Sequence, residues 1–369
     1  MKTKHKKFCS FIQSLAGKTV ALYGAGDIGE YTIKLLTEYI MPPHIIFVDD
    51  NLFGGNFLDK EIISFDELIE LDRCEEIVLV ITCTAVHTIY ERLKLRGMRG
   101  QIFASKNYLD EDGIHVFSYE SESYNTFLND VYKVCSRLSD SVSKEILNIL
   151  AKARITFSPV EYIEAMNKSI STSGANQYFI KEVFERLIER KVFNFIDCGA
   201  FDGDTIQDIV NLGIPLTAAY CFEPDKENFF NLNKYIIKSK LEVCVKTFQK
   251  GVGASNMRLR FNAINTGCSS VSSNGISVID IVTLDNFLGN VQVDMIKMDI
   301  EGSEMNAILG AMNMIQRERP ILAISIYHNF NDLVRIPLFL MDHLESYYFY
   351  IRHHYGVRET VLYCLPQKA

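Results

Sequence analysis

Short apolar runs alternate along this chain with stretches in which apolar side chains recur every three or four positions. The first pattern reads as buried strands and the second as amphipathic helices. The run over 19–23 predicts a strand, followed by a helix through Leu36, and 44–50 predicts a second strand. Ser64 followed by Glu67 reads as a capping box that opens a short helix. A third strand is expected over 76–82, a helix over 85–95 and a fourth strand over 101–103. Strands alternating with helices imply a parallel sheet covered on both faces.

The sequence turns polar and acidic over 105–125, which places a domain boundary there. Val134, Leu138, Val142, Ile146 and Leu150 then keep helical spacing and predict one helix over 129–154. A second helix, over 178–190, sets Phe179, Val183 and Leu187 on one side, and the stretch reads as a helical bridge. Alternation resumes with strands expected over 192–197, 217–223, 241–248, 293–299 and 320–327, and helices over 205–212, 225–238, 302–317 and 333–344. Residues 347–352 and 359–364 flank a turn and predict an antiparallel hairpin. The expectation is an α/β protein with two Rossmann-like domains, 1–115 and 176–369, joined by a helical linker over 116–175. The second domain's sheet would end in that hairpin.

Composition narrows the class. The 369 residues are 48% hydrophobic with a net charge of −8, and the one basic cluster lies at the N-terminus. A nucleic-acid partner is not expected, because neutralising phosphates needs a dense basic face. No apolar run approaches the length of a membrane span. Nine cysteines without a C-x-x-C pair fit buried free thiols in a cytoplasmic protein.

Candidate chemistry sits at the expected C-terminal ends of strands in the second domain, where open α/β sheets bind ligands. The first loop carries Asp197, Gly199, Ala200, Phe201, Asp202, Gly203, Asp204 and Thr205. Its glycines permit close backbone approach. Its three carboxylates oppose a pyrophosphate and suit a cationic ligand such as S-adenosylmethionine, with its sulfonium and ammonium. Glu223 ends the next strand, where a carboxylate can accept from a ribose diol; alone it could equally be a solvated strand end. Lys297, Asp299 and Glu301 alternate at a later strand end, either as site residues or as a structural ion pair.

D-x-G-A-x-x-G-D-T from Asp197, F-E-P around Glu223, K-x-D-x-E-G-x-E from Lys297 and R-P-x-L from Arg319 occur in that order. Together they resemble the FkbM family of methyltransferases, over about residues 176–369. The resemblance implies a class I methyltransferase fold, S-adenosylmethionine as methyl donor and an oxygen acceptor on a saccharide or related metabolite. By matching position it places Asp197, Gly199, Asp202 and Gly203 around the methionine end and Glu223 at the ribose, with Asp299 and Glu301 at the catalytic end. Asn176 to Phe179 resembles a segment that helps cover the cofactor in relatives. Where those relatives end the strand after R-P with a carboxylate, this chain has Tyr327-His328. His328 is therefore the expected general base, oriented by Asp299 or Glu301, since a neutral imidazole suits that task near neutral pH. Two alternatives stand: a histidine bonded to backbone, or a divalent cation held by Asp299, Glu301 and His328. No metal is assigned. His353 and His354 are read as hairpin surface residues.

In the first domain, Gly24, Gly26 and Gly29 follow a strand, and Asp49 and Asp50 end the next, which matches the dinucleotide fingerprint. Asp27 stands against a pyrophosphate there, and no Tyr-x-x-x-Lys pair follows. The domain is similar to the small Rossmann-like domain preceding some bacterial sugar acyltransferases. Three roles stay open: docking of a nucleotide-sugar or sugar, a ligand-free scaffold or homodimerisation surface, and NAD binding. The expected activity is methyl transfer to a small-molecule or saccharide hydroxyl. The competing readings are an NAD-dependent sugar oxidoreductase or epimerase, and a non-catalytic nucleotide-sugar-binding module.

Overall fold

The computed structural model describes residues 15, 17–39, 44–83, 85–104, 121–156, 159–262, 270–271, 277–356 and 358–367. The N-terminal basic cluster, Cys9, Cys268, most of the 105–125 boundary and the side chain of Asp27 lie outside them.

The first sheet contains β1 (Thr19–Tyr23), β2 (His44–Val48), β3 (Asn56–Phe57), β4 (Lys60–Ile63), β5 (Ile77–Ile81) and β6 (Gln101–Ala104), in the order β3-β4-β2-β1-β5-β6. All neighbours are parallel except the short β3–β4 pair. Helices α1 (Asp27–Tyr39), α2 (Phe65–Cys74) and α3 (Val86–Leu95) complete the crossovers. The capping box forms as expected, with Ser64 Oγ accepting from the Glu67 N–H and Glu67 accepting from the Ser64 N–H at 2.7 Å. Strands β3 and β4 were not anticipated. They are too short and too exposed to carry an apolar signal, with only Ile62 and Ile63 buried.

The bridge comprises three helices: α4 (Ser121–Arg137), α5 (Ser141–Thr156) and α6 (Pro159–Ser173). The single helix expected over 129–154 breaks because Asp140 accepts the Ser143 N–H at 2.7 Å and starts a new helix there. The helix expected over 178–190 contracts to α7 (Lys181–Leu187).

The second sheet contains β7 (Asn194–Cys198), β8 (Ala218–Phe222) and β9 (Val245–Phe248). Four strands of a separate small sheet follow: β10 (Gly251–Val252), β11 (Met257–Asn262), β12 (Ser270–Val271) and β13 (Ser277–Val282). Then come β14 (Met295–Met298), β15 (Ile321–Ser325), β16 (Tyr347–Tyr355) and β17 (Arg358–Pro366). The seven-stranded order is β16-β17-β15-β14-β7-β8-β9, parallel except where the closing hairpin runs antiparallel. This is the expected class I layout. The helices are α8 (Asp204–Asn211), α9 (Lys226–Lys238), α10 (Leu284–Phe287), α11 (Glu304–Leu309), α12 (Met312–Glu318) and α13 (Asp332–His343). The helix expected over 302–317 is split at Gly310, where a Cβ would come within 2.0 Å of the Gly253 carbonyl. The small sheet β10-β13-β11-β12 was not anticipated either.

Strand β16 is the sheet's outer edge, and unpaired edge amides invite pairing with another chain. Here bridge serines satisfy them. Ser139, Ser143 and Ser169 hydroxyls accept from the N–H groups of Phe349, Ile351 and His353 at 2.8, 3.0 and 2.8 Å. One continuous apolar core runs from the first sheet through the bridge to the second. His353 and His354 are buried by this packing, which corrects their reading as surface residues. His353 bonds Thr360 and Gly356, and His354 bonds the Tyr363 hydroxyl. Burial pulls the His354 pKa down to about 3, so the ring is neutral.

No helix among the described residues is long and apolar enough to cross a membrane. The seven described cysteines are free thiols.

Candidate active site

A cavity of about 310 Å³ opens at the C-terminal ends of β7, β8 and β14. Its floor begins with the loop after β7. Gly199 has φ +83°, and a Cβ there would lie 1.9 Å from the Asp299 carbonyl oxygen, so only glycine lets β7 and β14 approach so closely. Phe201 and Glu301, both on the cavity wall, hold positive φ without being glycine. Strain of that kind persists where the surrounding structure over-determines the backbone, and it clusters at binding sites.

The expected cofactor residues divide into two groups. Gly199, Phe201, Asp204, Glu223 and Asp299 line the cavity, as do Lys297 and Glu301. Asp197, Ala200, Gly203 and Thr205 are buried beneath it, and Asp202 faces solvent. Asp197 and Lys297 form a buried ion pair at 3.0 Å, and Lys297 donates to the Gly199 carbonyl at 2.5 Å. Burial alone lowers the Lys297 pKa, but Asp197, Asp299 and Asp204 outweigh it, so the ammonium stays charged and braces the loop. Glu223 accepts from the Asp225 N–H at 2.9 Å and the Phe201 N–H at 3.0 Å. Burial raises its pKa to about 7 despite those bonds.

At the other end, Asp299 accepts from the Tyr178 hydroxyl at 2.7 Å and the Tyr327 hydroxyl at 3.0 Å. Burial would raise its pKa, but His328, Lys297 and Tyr178 lower it, so Asp299 is a carboxylate. Tyr178 reaches this position because Asn176 Oδ1 accepts from the N–H groups of Tyr178 and Phe179 and fixes the turn before α7. The segment expected to cover the site thus supplies one of its walls.

His328 lies behind that wall. It is 3% exposed and is not among the cavity-lining residues. Its Nδ1 is 2.9 Å from Glu304, and its Nε2 is 3.5 Å from both Asp299 and Glu301. Burial lowers its pKa, yet Glu304 and Glu301 raise it well above the ordinary value. The surrounding carboxylates thus favour the protonated ring, and His328 stands behind the cavity wall rather than on it, which does not favour the base role expected of it. Asp299, Glu304 and His328 also offer atoms within 4.8 Å of one another, close enough to hold a cation in place of the ring proton.

Several lining residues went unread in the sequence. Lys250, Gly251 and Val252 come from the two-residue β10 and the turn before it, too short to carry a pattern, and Ile279 and Ile281 come from β13, where they alternate with exposed or half-buried residues. Arg358 and Glu359 come from the start of β17. Glu359 was taken as a hairpin residue because alternation along the strand shows no sign of its positive φ of 61°.

In the first domain, Asp49 accepts from the Ala25 N–H and from the N–H groups of Asn51 and Leu52. Asp50 is bonded to the Tyr23 hydroxyl and Arg92. Both carboxylates expected to meet a ribose are thus engaged within the chain. Gly29 packs α1 onto the loop, since its Cβ would lie 2.4 Å from the Gly24 carbonyl, whereas Gly26 faces open space.

Residues 197–354 match the family model described as a methyltransferase FkbM domain. The chain is similar over 97% of its length to the crystal structure of methyltransferase FkbM from Methylobacillus flagellatus KT, covering 95% of that chain, with a TM-score of 0.72 and 20% identity. A putative rRNA-methylase from Clostridium thermocellum is aligned over 48% of this chain and 88% of its own at a TM-score of 0.32 and 11% identity, too low to support an argument. No curated protein matches the chain.

Proposed function

The chain carries an FkbM methyltransferase domain over residues 197–354, and from that premise we propose that it transfers a methyl group from S-adenosylmethionine to an oxygen of a saccharide or related small molecule. One observation carries the reading. The cavity at the strand ends is lined by Asp204, Glu223, Asp299 and Glu301, while its Lys297 is paired with Asp197, its Lys250 with Asp280, and the charge of its Arg358 is offset by Glu359. Such a surplus of carboxylates suits a ligand bearing a sulfonium and an ammonium and opposes one bearing phosphates. When bound, S-adenosylmethionine supplies an electrophilic methyl group.

The chain's own residues divide the remaining work. Glu223 accepts the ribose hydroxyls. Phe222, Val252, Ile279 and Ile281 provide apolar walls for the base. Asp299 and Glu301 face the cationic end, and the buried His328 imidazolium orients them. Lys297 holds the loop through Gly199. Positioning of this kind converts a bimolecular encounter into a near-unimolecular step. The domain limits 1–115, 116–175 and 176–369 and a cytoplasmic setting belong to the same proposal. For the first domain, the engaged Asp49 and Asp50 favour a scaffold over a dinucleotide site.

Isothermal titration with S-adenosylhomocysteine tests this reading. Micromolar affinity is expected for the wild type. Glu223→Ala should lose about 1.5–3 kcal/mol, or roughly ten- to hundredfold in affinity, as a charge-assisted hydrogen bond is removed. Glu223 must be ionised to accept both ribose hydroxyls, and its pKa is about 7. Affinity should therefore rise about tenfold from pH 6 to pH 8, a gain that disappears in Glu223→Gln. No binding at millimolar concentrations would remove the cofactor reading.

A further inference from the structure

The mechanism so far lacks a group to take the acceptor's proton. The cavity offers few. Asp299 has both oxygens occupied by phenol donors, and its low pKa makes it a weak base. Tyr178 and Tyr327 are those donors, and burial raises both phenols well above their ordinary range, so they stay protonated. Lys297 is paired with Asp197, and His328 is buried behind the wall and does not line the cavity. Glu223 is held by two backbone amides at the opposite end, beside α9. Glu301 faces His328 at 3.5 Å, and Asp204 is held in the first turn of α8, where one oxygen accepts from both the Thr205 N–H and the Thr205 hydroxyl.

Glu359 remains. It lines the cavity beside Tyr178, Asp299, Tyr327 and Arg358, carried in at the first turn of β17 by a backbone of positive φ. Gln177 donates to its Oε2 and also to the Tyr178 hydroxyl at 3.1 Å, so one amide aligns the carboxylate with the phenol that binds Asp299. We propose that Glu359 is the general base of this methyltransferase, accepting the proton of the attacking hydroxyl. The inference rests on the hydroxyl-methylating reading above.

In the step, the acceptor oxygen forms a bond to the methyl carbon as the carbon–sulfur bond breaks. The electron pair stays on sulfur, which becomes a neutral thioether, and the hydroxyl proton passes to the Glu359 carboxylate. The groups facing Glu359 poise it for this. Burial pushes its pKa up and Asp299 adds to that, while Gln177, His328 and Arg358 pull it back, to about 7. Tyr178, Tyr327 and Glu301 complete its surroundings. A base of that strength is half-ionised near neutral pH, and its conjugate acid forms readily.

The test compares the wild type with Glu359→Gln and Glu359→Asp. Methyl transfer is read as S-adenosylhomocysteine released in the presence of methanol or a panel of methyl glycosides. Glu359→Gln should lower turnover by about 10²–10⁴-fold and leave S-adenosylhomocysteine affinity within about twofold, while Glu359→Asp keeps part of the activity. With S-adenosylmethionine saturating at every pH, so that the Glu223 effect on affinity drops out, wild-type turnover should rise with pH through about 7, and this limb should vanish in Glu359→Gln. Independently of turnover, the infrared carbonyl band of protonated carboxyls should bleach with a midpoint near 7 in the wild type. The part of it that survives in Glu223→Gln alone should be missing from Glu359→Gln/Glu223→Gln. Wild-type turnover in Glu359→Gln, equal losses of turnover and affinity, or a carboxyl titrating in the ordinary range would each overturn the assignment. Binding of S-adenosylhomocysteine without methylation of any hydroxyl probe would overturn the hydroxyl acceptor and its base together and spare the cofactor site. No binding would bring down the cofactor reading itself.

Discussion

Replacing Arg352 with methionine is expected to cost about 3–5 kcal/mol of folding stability, the range seen when one partner of a buried ion pair is removed. Arg352 is fully buried on β16, and all of its donors are used. It donates to Asp140 and Glu182 at 2.7 Å each, to Ser143 and Ser173 at 2.7 Å each, and to the Ile351 carbonyl at 2.9 Å. These partners belong to the start of α5, the end of α6, helix α7 and β16 itself, so one guanidinium pins the bridge to the sheet edge. Methionine has similar length but leaves Asp140 and Glu182 uncompensated. Urea unfolding followed by circular dichroism measures the loss. Hydrogen exchange should show the amides of Phe349, Ile351 and His353 opening earlier as their serine partners drift. Adding Asp140→Asn and Glu182→Gln to Arg352→Met should restore part of the stability, because the stranded charges are then gone. A loss under about 1 kcal/mol would place the bridge's attachment in its apolar packing instead.

How far the sequence carries follows from the same elements. The central parallel strands of both sheets were legible because they are nearly continuous apolar runs such as Ile77–Ile81, buried on both faces, whereas the parallel β4 is half exposed and gave no such signal. The helical bridge was legible as helix but not as three helices. Apolar spacing continues from Val134 through Val142, and only the capping role of Asp140 interrupts it. At the site, motif glycines and carboxylates could be read because their chemistry is local. The FkbM likeness named Gly199, Glu223 and Asp299, and the fold brings these three to one cavity. What could not be read was direction. His328 and Glu359 are both ionisable residues near strand ends, yet the fold encloses the first among Glu301, Glu304 and Asp299 and turns the second onto the cavity wall. Nothing in their spacing distinguishes them, because that choice is made by long-range packing of β17 against β15. The edge-capping serines were invisible for the same reason.

Replacing Gly199 with alanine should be the most damaging single methyl group in the cofactor loop. Two effects add. A side chain at φ +83° pays roughly 1–2 kcal/mol for the left-handed backbone. The new Cβ would also sit 1.9 Å from the Asp299 carbonyl oxygen and 3.2 Å from Ile300 Cγ2, and the first of these is backbone that cannot swing aside. To make room, the end of β14 must part from β7, breaking the 3.0 Å bond from the Asp299 N–H to the Cys198 carbonyl. Overpacking of that kind costs about 1–3 kcal/mol more. Asp299 would move with the strand end, and its alignment with Tyr178 and Tyr327 would go with it. Stability should therefore fall by about 2–5 kcal/mol, and S-adenosylhomocysteine affinity by more than a hundredfold. Gly213→Ala is the control. Gly213 has φ +67° with nothing within 4 Å of its Cβ position, so it carries the conformational cost without the collision. The difference between the two variants in urea midpoint isolates the strand contact, and calorimetry on whichever fraction folds reads the site. If Gly199→Ala is no less stable than Gly213→Ala and still binds S-adenosylhomocysteine, the contact between β7 and β14 does not set the floor of the cavity, and the loop's role reduces to its carboxylates.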